Sequence, residues 1–144
     1  MKVSQKVDYA LRALVELAAL APRAEPVRSA EIAERTRVPE KFLEAILVDL
    51  RKAGLVESRR GPKGGHRLAR VPRAINLAEI REAVDGPLSL APQRRGQPGD
   101  AADAALRSVW DDVERAVLDA LRGVTLDAVL QRAELHRGVP DFAI

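Results

Sequence analysis

The sequence predicts a mostly α-helical protein with a small β-hairpin wing: a winged helix-turn-helix domain followed by a long C-terminal dimerisation helix. Three observations carry this expectation. Two short helical patterns lie only a few residues apart between Ser29 and Ala53. Two strand-like runs follow at once, joined by the tip Gly61-Pro62-Lys63-Gly64-Gly65. Further on, a helical stripe of roughly 20 residues, about 30 Å long, has little surface of its own domain to cover it.

Taken in order, Val7, Leu11, Leu14, Val15, Ala18 and Leu20 recur at helical spacing from Ser4 to Ala21, and Pro22 and Pro26 close that helix. Ser29 is expected to cap a second, short helix carrying Ile32 and Ala33, which ends at Arg37 and Val38. Pro39 suits the first turn of a third helix, Glu40 to Ala53, whose apolar stripe is Phe42, Leu43, Ile46, Leu47 and Leu50. Gly54 stands where helices end in a left-handed turn. The strands are expected over Leu55–Arg60 and His66–Val71. After Pro72, Asn76 caps a helix through Val84, with Glu79 three residues on to reach back to it. Residues 1–85 thus form the winged domain.

Residues 86–100 are rich in proline and glycine and read as a loop. The longest helix runs from Asp100 to Arg122, with Leu106, Val109, Trp110, Val113, Val117 and Leu121 in one stripe. Gly123 ends it, and Thr125 caps a last short helix through Val129 and Leu130, so that 101–132 form the dimerisation unit. The tail, 133–144, shows no clear pattern. The expected cover for the long stripe is the same helix of a second chain, giving a two-fold dimer; folding back onto its own domain is the alternative.

Composition narrows the function. The 144 residues are 47% hydrophobic and 3% aromatic, enough apolar side chains for a core and a balance that favours helices. Residues 1–73 hold 16 Lys and Arg against 9 Asp and Glu, whereas 74–144 hold 8 against 12. A basic half joined to an acidic half predicts that the first faces a polyanion; chance asymmetry of surface charge is the alternative. There is no cysteine, which excludes disulfides, thiolate nucleophiles and cysteine-ligated clusters. No run of about 18 apolar residues spans a membrane, and the N-terminus leads into an amphipathic pattern rather than a signal peptide. A cytoplasmic protein is expected.

The wing is the sharpest feature. Its tip holds few bulky side chains and is flanked by Arg59, Arg60, Lys63 and Arg67. Such a finger is thin enough to approach a groove, and its cations neutralise phosphates or enter a narrow minor groove. A surface hairpin whose charges only protect its edge is the competing explanation. A phosphate-cradling enzyme loop fits poorly, since no Gly-Lys-Ser/Thr follows and no helix begins there.

Several segments together carry a resemblance. Asp8-Tyr9-Ala10-Leu11, Ile32-Ala33-Glu34-Arg35, Phe42-Leu43-Glu44, Leu50 through Val56, Arg60 through Leu68, Ala83-Val84-Asp85-Gly86 and Val124-Thr125-Leu126 resemble, in order and spacing, the Rrf-two family of bacterial transcription factors. The match runs from about residue 1 to 130, and the Arg-Gly-Pro-x-Gly-Gly wing is its most specific piece. The resemblance implies a sequence-specific regulator, a repressor by expectation, acting on double-stranded DNA as a homodimer. Recognition helices would enter successive major grooves and wings the flanking minor grooves. It puts Glu40, Lys41, Glu44 and Ala45 at base-contacting positions, with Glu44 able to accept from a cytosine amino group. It makes Arg60 the minor-groove residue and Lys2, Ser4, Gln5 and Lys6 phosphate contacts. His66 replaces the tyrosine commonest at its position and is expected to pack as that ring does.

One departure bears on cofactors. Cluster-binding members place three cysteines between the fourth helix and the long helix; Leu88 to Arg107 here has none, with Pro92, Pro98 and Ala104 near those positions. No iron–sulfur cluster and no other cofactor is expected, so regulation falls to an unidentified small molecule or protein effector, sought at 86–100 and near Trp110, or to no effector. A protein-interaction module on the winged scaffold, regulating a partner enzyme, is the alternative function. An enzyme is not expected: His66 and His136 show no nucleophile or metal-ligand spacing.

Overall fold

The computed structural model describes residues 2–92 and 99–138. The order is α1 (Gln5–Ala19), α2 (Ser29–Thr36), α3 (Glu40–Lys52), β1 (Val56–Arg59), β2 (Gly65–Leu68), a 3-10 turn (Pro72–Ala74), α4 (Leu77–Asp85), α5 (Ala101–Arg122) and α6 (Leu126–Gly138). Helices α1 to α4 pack on one another, and α6 returns to α1 and the 3-10 turn. Leu14 and Leu17 of α1, Ile32 of α2, Leu43, Ile46 and Leu50 of α3, Ile80 of α4 and Leu126 of α6 are buried together. Each such side chain contributes about 1.5–3 kcal/mol on burial. Among the described residues no polar side chain is buried, so the apolar pattern holds this domain together.

The local signals explain the boundaries. Ser4 caps α1, accepting from the Val7 amide at 3.1 Å. Asn76 and Glu79 make the expected reciprocal capping box on α4, and Asp100 with Asp103 makes a second one on α5. Thr125 Oγ1 accepts from the Ala128 amide at the start of α6. Arg37, the residue after α2, is left-handed at φ 60° and turns the chain into α3. Gly54 is also left-handed, at φ 76°, and separates α3 from β1.

Several expectations need correction. Ser29 does not cap α2: it is the first helical residue, the cap position is Arg28, and no side chain accepts there. The Ser29 hydroxyl is engaged instead by His66. Pro39 occupies the cap of α3 rather than its first turn. Phe42 does not join the apolar stripe of α3; it is 54% exposed, while Leu43, Ile46, Leu47 and Leu50 are buried. The segment after Leu130 is helical to Gly138. Its apolar period is missing because from Gln131 to Gly138 every residue except Ala133 is exposed, so no face is selected for burial. Both strands are shorter than expected, each having four residues.

Helix α5 differs from the rest: none of its 22 residues is buried. It packs chiefly on α4. Leu106, Val109, Trp110 and Val113 are exposed, and Val117 and Leu121 are partly covered.

Candidate nucleic-acid interface

The hairpin is antiparallel, with Val56 opposite Leu68, Glu57 opposite Arg67, Ser58 opposite His66 and Arg59 opposite Gly65. β2 is held on its other side too. The Val27 amide donates to the His66 carbonyl at 2.8 Å, and the His66 amide to the Val27 carbonyl at 2.7 Å. This contact demands glycine at 65, because a Cβ there would stand 2.7 Å from the Val27 carbonyl oxygen. Glycine at 64 is needed for the tip itself, where a Cβ would meet the Arg59 carbonyl at 2.2 Å. The motif's paired glycines therefore serve to fold the wing tightly and dock it on the segment before α2.

Side chains reinforce the docking. His66 Nδ1 lies 2.7 Å from Ser58 Oγ, and its Nε2 3.0 Å from Ser29 Oγ. Burial, with the Arg51 cation nearby, pushes the imidazole below its ordinary pKa, and Glu44 opposes this. His66 does pack, but as a polar bridge joining β1, β2 and α2. The Arg28 guanidinium donates to the carbonyl of Pro62 at the tip. Sequence reasoning missed Arg28 and Ser58, which belong to no motif, and gave Ser29 a capping role instead; only the hairpin's position brings the three together.

The sequence-predicted residues fall into two groups. Arg59, Arg60 and Lys63 are exposed at the tip, and no carboxylate among the described residues pairs with them. Lys2, Gln5, Glu40, Lys41, Glu44 and Ala45 are likewise exposed. A cleft of about 300 Å³ runs between the start of α3 and the wing, lined by Glu40 and Glu44 on one side and Arg59, Gly61 and Gly64 on the other. The remaining three are already engaged. Ser4 donates to Asp85 at 2.7 Å while capping α1. Lys6 pairs with Asp49 of α3 at 3.0 Å, and Arg67 with Glu57 across the hairpin at 3.1 Å.

A short helix pair with an exposed second helix, followed by a cationic docked hairpin, defines a winged helix-turn-helix regulator of transcription. Comparison with known proteins agrees. A family model described as "Rrf2: Iron-dependent Transcriptional regulator" matches residues 3–132. The HTH-type transcriptional regulator IscR of Cereibacter sphaeroides is 36% identical over 137 residues, covering 91% of this chain and 88% of that protein. Among solved structures, IscR of T. potens is similar at a TM-score of 0.75 and 34% identity, over 99% of this chain and 95% of that one. CymR (YrzC), the global cysteine regulator of B. subtilis, is similar at a TM-score of 0.73 and 31% identity, over 92% of this chain and 98% of that one. The chain belongs to the Rrf2 family and is a transcriptional regulator, not an enzyme. No helix among the described residues is long and apolar enough to cross a membrane.

Proposed function

We propose that the chain binds duplex DNA sequence-specifically as a homodimer and represses transcription from the sites it covers. The observation that carries this is Arg59, standing across one cleft from Glu40 and Glu44 at the start of α3, with Arg60 and Lys63 exposed and unpaired beside it at the wing tip. An unpaired cation gains from phosphate without first breaking an ion pair, and releases condensed counterions when it binds. The first two turns of α3 present Glu40, Lys41, Glu44 and Ala45 to the major groove, and Arg60 enters the minor groove beside them. Lys2 and Gln5 contact phosphates; Lys6, Ser4 and Arg67 act mainly by positioning α1 and the hairpin.

The dimer rests on α5. Leu106 and Val109 are more than half exposed, a stripe that a second copy crossing at this helix would remove from water. A dimer lying across a promoter occludes it, which is the sense of regulation proposed.

A cysteine-ligated iron–sulfur cluster does not fit this chain. The sequence contains no cysteine, and among the described residues no three His, Asp or Glu side chains converge to hold a metal. Regulation by a small molecule or protein is proposed instead, and the space of about 130 Å³ between Ala91, Pro92, Leu106 and Trp110 is the place to look.

The test is fluorescence anisotropy of the full chain on labelled duplexes from its genomic sites, across a salt series. Arg60→Ala is expected to bind about tenfold more weakly and to lower the slope of log K against log salt by about 1 per wing. Unchanged affinity and slope would overturn the wing's role. No binding to any of the duplexes would favour a partner protein.

A further inference from the structure

The solvent face of α3 carries an apolar row. Phe42, Ala45 and Val48 follow one another at three-residue spacing, which sets them along one side of the helix. Phe42 is 54% exposed and Val48 39%, and Ala45 is exposed as well. None of them belongs to the core. The Phe42 ring leans on Tyr9 of α1, with centroids 6.4 Å apart at 34°, which steadies the ring but leaves its outer side open.

Glu40 and Glu44 lie on the flank of α3 toward the wing, away from Phe42, and the polar residues of the first two turns are chemically narrow. Glu40 and Glu44 only accept hydrogen bonds when ionised, and Lys41 alone can donate. Glu44 therefore reads a base that offers an amino group to the major groove, cytosine or adenine. Lys41 can donate to a guanine edge or a phosphate, whereas Phe42 and Ala45 carry no polar group with which to read a hydrogen-bonding edge. What an apolar row can distinguish is a methyl group. Thymine is the one unmodified base that shows a methyl in the major groove, and phenylalanine and alanine are both side chains that pack on it.

We propose that Phe42 and Ala45 read thymine C5-methyl groups in the half-site, next to the base whose amino group Glu44 accepts. The proposal rests on α3 lying in the major groove as set out above. It makes Phe42, the residue that sequence periodicity assigns to the core, a determinant of specificity. The wing and Lys2 supply affinity for phosphate; the row on α3 supplies sequence discrimination through shape and apolar contact.

The experiment begins with selection of tight sites by the full chain from a random duplex library. Each thymine of the selected site is then replaced singly by uracil, which deletes the methyl and leaves the pairing and groove edges otherwise unchanged. At one or two thymines per half-site, uracil is expected to weaken wild-type binding about fourfold, the effect of one buried methyl-sized group. In Phe42→Ala that sensitivity disappears at the thymine facing residue 42. In Glu44→Ala it persists while the preference for the neighbouring base is lost. Phe42 sits on the surface, so the circular dichroism of Phe42→Ala should match the wild type; the uracil series on the wild type needs no variant. Equal binding of every uracil-substituted site, or undiminished sensitivity in Phe42→Ala, overturns the proposal. A selection that enriches no sequence overturns DNA recognition itself, a different and separately visible outcome.

Discussion

His66 Nε2 lies 3.0 Å from the hydroxyl of Ser29, so the base of the wing is tied to the first residue of α2. The same ring reaches Ser58 at 2.7 Å. A neutral imidazole donates through one nitrogen and accepts through the other, and the two hydroxyls adapt to either arrangement.

The lowered pKa of His66 has a stability consequence of definite sign. The folded chain takes up the proton less readily than the unfolded chain, whose histidine titrates near about 6.5. Below that pH the unfolded state binds more protons, so stability falls as pH drops and the loss levels off beneath the folded pKa. Urea midpoints measured between about pH 7.5 and 5 are expected to decline more steeply for the wild type than for His66→Gln. Parallel curves would show that the imidazole contributes nothing to this dependence.

Arg28 should govern the tip separately from the base. Its guanidinium donates to the Pro62 carbonyl, a bond on an exposed surface whose loss costs about 1 kcal/mol or less. Arg28→Ala is therefore expected to leave the melting temperature nearly unchanged while hydrogen exchange at residues 60–65 accelerates. Unaltered exchange there would contradict the tether.

Two glycines of positive φ make a matched comparison. Gly54 has open space around its absent Cβ, so Gly54→Ala meets only the left-handed backbone cost, about 1–2 kcal/mol. Gly65→Ala adds a collision with the Val27 backbone at 2.7 Å, and strain of about 1–3 kcal/mol must be relieved by undocking the hairpin. Thermal unfolding should rank Gly65→Ala well below Gly54→Ala, and only the former should lose DNA affinity beyond its stability loss.

Val109 is 54% exposed in the middle of α5. Val109→Asp is expected to keep full helical content by circular dichroism yet sediment as a monomer at micromolar concentration, where the wild type sediments as a dimer. A wild-type monomer, or a dimeric variant, would remove the role proposed for this helix.

Much of the fold could be read from the chain because local signals and burial coincide. Asn76 with Glu79 and the left-handed Gly54 both act within one turn of chain. The stripes of α1 and α3 face a single core. Phe42 escaped the same logic. It sits at a core-like spacing, but α3 is buried on one side only, and periodicity cannot say whether a residue at the edge of a stripe points in or out. The end of α6 escaped for the opposite reason: a helix exposed on nearly all sides carries no apolar period to detect.

Turns, caps and apolar spacing are properties of neighbouring residues, and they sufficed to specify a short helix pair followed by a cationic, glycine-tipped hairpin. How that hairpin is held, and what each helix leaves exposed, emerged from packing alone. The ties from His66 to Ser29, from Arg28 to Pro62 and from Lys6 to Asp49 join residues 34 to 43 positions apart. Such contacts depend on where packed elements come to rest, and no local pattern encodes that.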